Sequence, residues 1–365
     1  MKTCVFIVTQ LSQPRCIKRI ETIQKAGIPF KVYGFDNGLY TENIKNVSFP
    51  IEEIMTNKEH GKIARILFPI KSIRRIINTN KENCVFYLFG FETAVMARIA
   101  GCKKYIYEEA DVNAVKRRYA IQRKFLLALD RNIIRKSLLT VFTSQGFIDF
   151  LFKKFRSCGN FLLLPNKLSP YFNQVDRTQF SLKNININHV KFGFIGLIRY
   201  PNTIIRFAKV VGKYFPQHEF HFYGDIAYRV CIDDELKSFQ NVYFHGSFSN
   251  PTDLQIIYSN IDINIVCYDT SSINVRIAEP NKLYESIYFN TPIVVSKGTY
   301  LEKRVKDLNV GASINALSEE DIIYFINNLD QDKLQSYIAS MNKINSKDLI
   351  DNPYEFLNVL TFCLS

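Results

Sequence analysis

The sequence predicts an α/β protein built from two doubly wound, mostly parallel sheets that face each other across a cleft. Three observations lead there. The chain has 365 residues, enough for two domains, and 47 % of them are hydrophobic, so each domain can enclose a core. Short apolar strand patterns alternate with helical patterns in two successive series, separated by a polar Asn/Lys/Gln-rich segment at 173–190. Glycines stand at strand ends in the second series, at Gly196, Gly224 and Gly246. Open parallel sheets take their ligands beyond those ends, and a glycine there lets ligand or backbone approach closely.

In the first series, residues 5–9 read as a strand. Pro14 opens a helix over 14–26, Gly27 ends it, and Ile20 and Ile23 mark its buried side. Strands follow at 30–35, 84–89, 105–107 and 139–143. Helices fall within 60–78, over a long basic stretch at 115–139, and from Ser144 onward. Residues 162–167 read as a last strand running into a linker. The second series has strands at 191–195, 218–223, 242–244 and 261–267, and helices at 202–214, 252–260, 318–328 and 331–341. This divides the chain into residues 1–172, residues 173–345 and a helical segment at 346–365 that packs back toward the first domain.

The stretch 278–298, A-E-P-N-K-L-Y-E-S-I-Y-F-N-T-P-I-V-V-S-K-G, reads as loop, helix and strand. Pro280 suits the first helical position, which places Asn281 and Lys282 in the first turn. Unpaired N–H groups and the lysine charge suit that turn to phosphate. Glu285 shares a helix face with Lys282, and a carboxylate one turn deeper can accept both hydroxyls of a ribose. A plain ion pair on a solvated helix gives the same spacing.

Charge is unevenly divided. Residues 1–172 carry 29 Lys and Arg against 13 Asp and Glu, a balance of +16; residues 173–365 carry 18 against 21, a balance of −3. The first half therefore suits an anionic partner. Two segments in it, 62–77 and 116–136, interleave Lys and Arg with large apolar residues, as helices that lie on anionic membrane do; a core helix with a basic outer face has the same composition. No aromatic stacking platform or RNA-binding signature accompanies them, so no nucleic-acid partner is expected. No run of 18 apolar residues predicts a membrane span, the N-terminus reads as a strand rather than a signal peptide, and eight scattered cysteines without C-x-x-C give a reduced, cytoplasmic pattern.

With these segments in view, the chain resembles the family 4 glycosyltransferases of the two-Rossmann GT-B fold, of the type that builds bacterial polysaccharides. The likeness in the second half runs through F-I-G-L-I-R-Y at 194–200, the strand and turn at 241–246, I-D-I-N-I at 261–265, E-P-N-K-L-Y-E at 279–285 and N-T-P-I-V-V-S at 290–296. In the first half it runs through Pro14-Arg15, Y-E-E-A-D at 107–111, V-F-T-S at 141–144 and L-P-N at 164–166.

The resemblance implies a hexosyltransferase-like enzyme that moves a sugar from a nucleotide-diphosphate donor to a growing polysaccharide or lipid-linked glycan. It implies retention of configuration, no metal and no cofactor beyond the nucleotide sugar. Gly196, Arg199, Asn281, Lys282, Leu283 and Glu285 would bind the donor, with Arg199 and Lys282 on the diphosphate and Glu285 on the ribose. Glu279 matches the first carboxylate of the family's Glu-x7-Glu pattern, although only five residues separate it from Glu285 here. Acidic residues at 108–111 would act on the acceptor, Asp111 first and Glu108 next, or else pair with the basic helix that follows. The loop at 10–13 lacks the glycines many relatives carry. Such an enzyme would work in the cytoplasm at the inner face of the membrane. Two rivals share the fold: a nucleotide-sugar epimerase, and a non-catalytic nucleotide- or glycan-binding subunit of an assembly complex.

Overall fold

The computed structural model describes residues 1–9, 14–36, 47–56, 62–112, 119–152, 160–180, 183–227 and 230–365. Two compact units account for them: Met1–Leu164 with Asn352–Ser365, and Pro165–Asp351. The C-terminal boundary returns the chain to the first unit, and the crossing between units comes at Leu164/Pro165 rather than at 172.

The first unit contains β1 (Thr3–Val8), α1 (Pro14–Lys25), β2 (Phe30–Asp36), β3 (Glu53–Thr56), α2 (Lys62–Thr79), β4 (Cys84–Phe89), α3 (Phe91–Ile99), β5 (Tyr105–Glu109), α4 (Ala120–Lys136), β6 (Leu139–Phe142), α5 (Gln145–Phe152) and β7 (Phe161–Leu163). Its strands are all parallel, in the order β3-β2-β1-β4-β5-β6-β7. Every residue of β4 is buried, as expected for a continuous apolar run in a sheet covered on both faces. Gly27 ends α1 at φ 66°, a left-handed position that suits glycine. The long basic helix proves to be α4, which begins at Ala120. Lys116, Arg117 and Arg118, and the loop at 10–13, lie outside the described residues.

The second unit contains β8 (Lys191–Ile195), a π turn (Pro201–Ile205) leading into α6 (Arg206–Tyr214), β9 (Glu219–Tyr223), α7 (Asp234–Ser238), β10 (Val242–Phe244), α8 (Leu254–Ser259), β11 (Ile263–Val266), α9 (Ile273–Ile277), α10 (Lys282–Tyr288), β12 (Ile293–Ser296), α11 (Tyr300–Leu308), β13 (Gly311–Ile314), α12 (Glu319–Asn327), α13 (Gln331–Lys343) and α14 (Ser346–Leu349). The helix α15 (Pro353–Leu364) belongs to the first unit. The second sheet is parallel in the order β10-β9-β8-β11-β12-β13. Each sheet thus reverses direction once, between β1 and β4 and between β8 and β11. That reversal is where the loops beyond the strands diverge and leave a crevice.

Alternation along β8 feeds two cores. Phe192 and Phe194 pack with Phe207, Phe220 and Phe222 on one face. Ile195 packs with Tyr223, Tyr258, Leu283 and Ile287 on the other, which seats α8 and α10 beneath the crevice. The polar segment between the two series carries short 3₁₀ turns and a structural cation. Arg177, on one of these turns, donates to the carbonyls of Ile287 and Tyr288 at the end of α10 and of Met341 and Ile344 at the end of α13. Carbonyls in a last helical turn keep acceptor capacity that the helix itself does not use, so one guanidinium caps two helices.

Candidate functional site

Three glycines form a row beyond β8, β9 and β10. Gly196 donates its N–H to Tyr223 O (2.8 Å) and Gly224 donates to Gly246 O (2.7 Å). Gly196 and Gly224 have φ of 135° and 132°, and a Cβ on Gly224 would lie 2.2 Å from the Gly196 carbonyl oxygen. Gly224 is therefore needed by a neighbouring backbone. A Cβ on Gly196 would come 4.0 Å from Lys282 Cε, so the end of β8 and the start of α10 adjoin.

The helix α10 starts two residues later than Pro280 suggests. The Pro280 carbonyl closes a tight turn onto Leu283 N (3.2 Å), and the first helical bond runs from Glu285 N to Asn281 O (3.0 Å). The helix has only seven residues, and the N–H of Leu283 is already used, so the side chains of this turn define the site. Lys282 Nζ donates to Glu285 Oε2 at 2.6 Å. Both are buried, at 5 % and 2 % exposure, so the pair is not a solvated surface one. Asn281 Nδ2 donates to Glu285 Oε1 (2.5 Å) and the Tyr258 hydroxyl donates to Oε2 (2.9 Å). Burial, and then Glu285, push the Tyr258 phenol well above its usual range, which keeps it a donor. Asn264 completes the support from β11, donating to Tyr258 Oη (3.2 Å) and Ser286 Oγ (2.8 Å). Leu283 points into the core, which removes its side chain from the expected ligand set.

Arg199 is exposed, its guanidinium carbon 5.3 Å from the Tyr200 ring centroid, and Tyr200 stacks on Tyr268 at 4.8 Å. Tyr268 lies just beyond β11, and its carbonyl accepts from Ser296 Oγ at the end of β12 (2.7 Å). Burial raises the Tyr268 phenol, Arg199 opposes that and Glu285 adds to it, so this ring feels both predicted donor ligands. Sequence reasoning missed Tyr200, Tyr258, Asn264 and Tyr268. Glu279 falls in a different network: Arg304 Nε donates to its Oε2 (3.0 Å) and the Tyr284 hydroxyl to its Oε1.

In the first unit β5 runs through Glu109, which places Glu108 and Glu109 on opposite faces. Glu108 is buried and accepts from Arg19 Nε (3.1 Å) and from the Tyr87 hydroxyl, with Arg15 Nε at 3.5 Å. Burial pushes its carboxyl up, but Arg19 and Arg15 outweigh that and hold it below the ordinary carboxylate value. Its ion-pair partners thus come from α1, not from the basic helix that follows. Asp111 lies two residues past β5 and is exposed. Behind β5, Asp130 of α4 is buried and accepts from the Tyr107 hydroxyl (3.2 Å).

These two Rossmann-like sheets define the GT-B glycosyltransferase fold. HepE from Anabaena, solved with UDP and glucose, superposes with a TM-score of 0.69 at 14 % identity over 99 % of this chain and 100 % of that one. Sucrose-phosphate synthase from Thermosynechococcus elongatus gives 0.65 at 12 % identity over the full length of both chains. A UDP-GlcNAc 2-epimerase from Neisseria meningitidis, bound to UDP-GlcNAc, gives 0.61 at 12 % identity over 99 % of this chain and 100 % of that one. Among curated sequences, the succinoglycan biosynthesis protein ExoL of Rhizobium meliloti (strain 1021) is 21 % identical over 337 residues, 88 % of this chain and 83 % of that protein. No family model matches the chain.

Proposed function

We propose that this protein is a glycosyltransferase of family 4 that moves a hexose from a UDP-sugar to a growing polysaccharide or lipid-linked glycan, as in capsule-type assembly. One observation carries the reading: Gly196, Lys282 and Glu285 adjoin at the sheet reversal between β8 and β11, with the cation and carboxylate already held in place. In this reading Lys282 and Arg199 neutralise the diphosphate as it leaves, a task cations perform without a metal. Asn281 orients Glu285, which exchanges part of its present network for the ribose hydroxyls. Gly196 leaves room for the phosphates. Glu279, fixed by Arg304, stands toward the donor sugar, and Asp111 orients the acceptor hydroxyl while Glu108 supports the strand that leads to it. Retention of configuration is proposed with the family resemblance. Among the described residues no helix is long and apolar enough to cross a membrane. The basic first unit suits an enzyme working at an anionic membrane surface on the cytoplasmic side.

Epimerases of the same fold make nucleotide-sugar epimerisation the second reading. Incubation with UDP-hexoses, with and without a membrane-extracted glycan acceptor, separates the two. Acceptor-dependent release of UDP supports transfer. Conversion of the UDP-sugar with no acceptor, and no release, overturns it in favour of epimerisation.

A further inference from the structure

The first unit carries a helical layer whose inner side is buried, at Ile73, Ala94, Ala97, Ile133 and Ile134, and whose outer side is partly apolar. The helix α3 packs between α2 and α4, and Arg74 Nη2 of α2 reaches the Ile99 carbonyl at the end of α3 (3.4 Å). Large apolar side chains of this layer face solvent: Leu67 on α2, Ile99 on α3, and above all Ile121 (83 % exposed) and Phe125 (66 %) on α4, with Tyr119 (63 %) capping it. Ile121 and Phe125 are one turn apart and share a side of the helix. The helix is otherwise basic. Of the helix's charged residues Arg123, Lys124, Arg131, Arg135 and Lys136 are basic, and the one acid, Asp130, is turned inward and buried.

We infer that the N-terminal half of α4 is a membrane wedge. Ile121 and Phe125 enter the boundary between headgroups and acyl chains of an anionic bilayer, while Lys124 remains at the lipid phosphates. The charge alone suits any polyanion, but the most exposed apolar residue of the patch is the aliphatic Ile121, which suits hydrocarbon. In sequence the wedge follows the end of β5 at Glu109 and the exposed Asp111 beyond it. Resting on the proposed acceptor role of that strand end, the consequence is that the acceptor is drawn from the bilayer, so it is lipid-linked rather than free in solution.

The chain contains no tryptophan, so Ile121→Trp and Phe125→Trp each introduce a single fluorescent reporter. Tyr354→Trp is the control. Its site is exposed on α15, whose Phe356 meets Tyr87 on the sheet face opposite Tyr105 and Tyr107, the face that holds α4. With phosphatidylglycerol-containing vesicles the first two should shift to the blue and be quenched by lipids brominated in the acyl chain, and the control should do neither. Pure phosphatidylcholine vesicles should leave all three unchanged. The double variant Ile121→Glu/Phe125→Glu should lower partition into anionic vesicles about tenfold or more. UDP affinity, read by calorimetry, should not change; its absence in every variant and in the parent would overturn the donor reading and leave the wedge standing. Sedimentation with vesicles without blue shift or quenching at 121 and 125 overturns the wedge. So does binding to a DNA duplex with no binding to vesicles.

Discussion

Lys282 Nζ and Glu285 Oε2 lie 2.6 Å apart on one turn of a fully buried helix, with Asn281 and Tyr258 donating to the same carboxylate. A buried pair of this kind is costly to break from one side, because the remaining charge has no partner. Glu285→Ala should therefore destabilise the fold by about 3–5 kcal/mol. Glu285→Gln, which keeps the shape, should lower stability less and weaken UDP binding by about 1.5–3 kcal/mol. Urea titration and calorimetry measure the two effects. A Glu285→Gln protein with full UDP affinity would take Glu285 out of the donor site.

The acidic residues near β5 should separate by function. Glu108→Gln leaves Arg19 buried beside a neutral group and should lower stability by roughly 3 kcal/mol. Asp111→Asn, at an exposed position, should leave both stability and UDP affinity intact and reduce transfer sharply. Wild-type transfer by Asp111→Asn would assign the acceptor role to another group.

The glycine row should tolerate alanine unequally. At Gly224 a Cβ meets the Gly196 carbonyl at 2.2 Å and the backbone is at φ 132°, whereas at Gly246 no atom lies within 4 Å. Gly246→Ala should cost about 1–2 kcal/mol from its positive φ alone. Gly224→Ala should cost more than that and also weaken UDP binding, since the displaced atoms belong to Gly196. Equal melting temperatures for the two variants would contradict this ordering.

Asp130 gives a pH signature. Burial pushes its carboxyl up to about 7, with Arg131 opposing. In the unfolded chain it ionises near 3.9. Between those values the folded state binds the extra proton, so stability is full below about pH 4 and falls as pH rises toward 7, on the order of 4 kcal/mol in all. Asp130→Asn removes that loss. Its stability relative to the parent should improve from pH 5 to pH 8, and a constant difference across that range would mean that Asp130 is ionised in the fold.

The strand pattern was legible where residues are buried on both faces. The run at 84–89 can be nothing else in a parallel sheet, and β4 matches it residue for residue. The edge strand β3 and the short helix α3 were not foreseen, because four half-exposed residues and nine mostly apolar ones show no distinct period. At the proposed donor site the lysine and glutamate could be placed on one face from spacing alone. What surrounds them could not, since Tyr258 and Asn264 come from other elements. Asn264 did leave a sign: a polar residue inside an apolar strand run must find a partner when buried. The partners of Glu108 left none, because Arg19 precedes it by 89 residues.

Arg177 hydrogen-bonds only to main-chain oxygens of the two helices it caps, and its guanidinium carbon also lies 5.8 Å from the Tyr288 ring centroid. Residues 287, 341 and 344 can therefore drift in identity, within what their packing allows, without losing these hydrogen bonds, since each residue type brings the same carbonyl. All the sequence constraint falls on position 177. A lysine there presents one compact ammonium with three donors in place of a forked guanidinium with five, too few for the four carbonyls that Arg177 holds. Divergent homologues should accordingly keep an arginine at this point while the apolar residues at 287, 341 and 344 exchange for others without covarying with it.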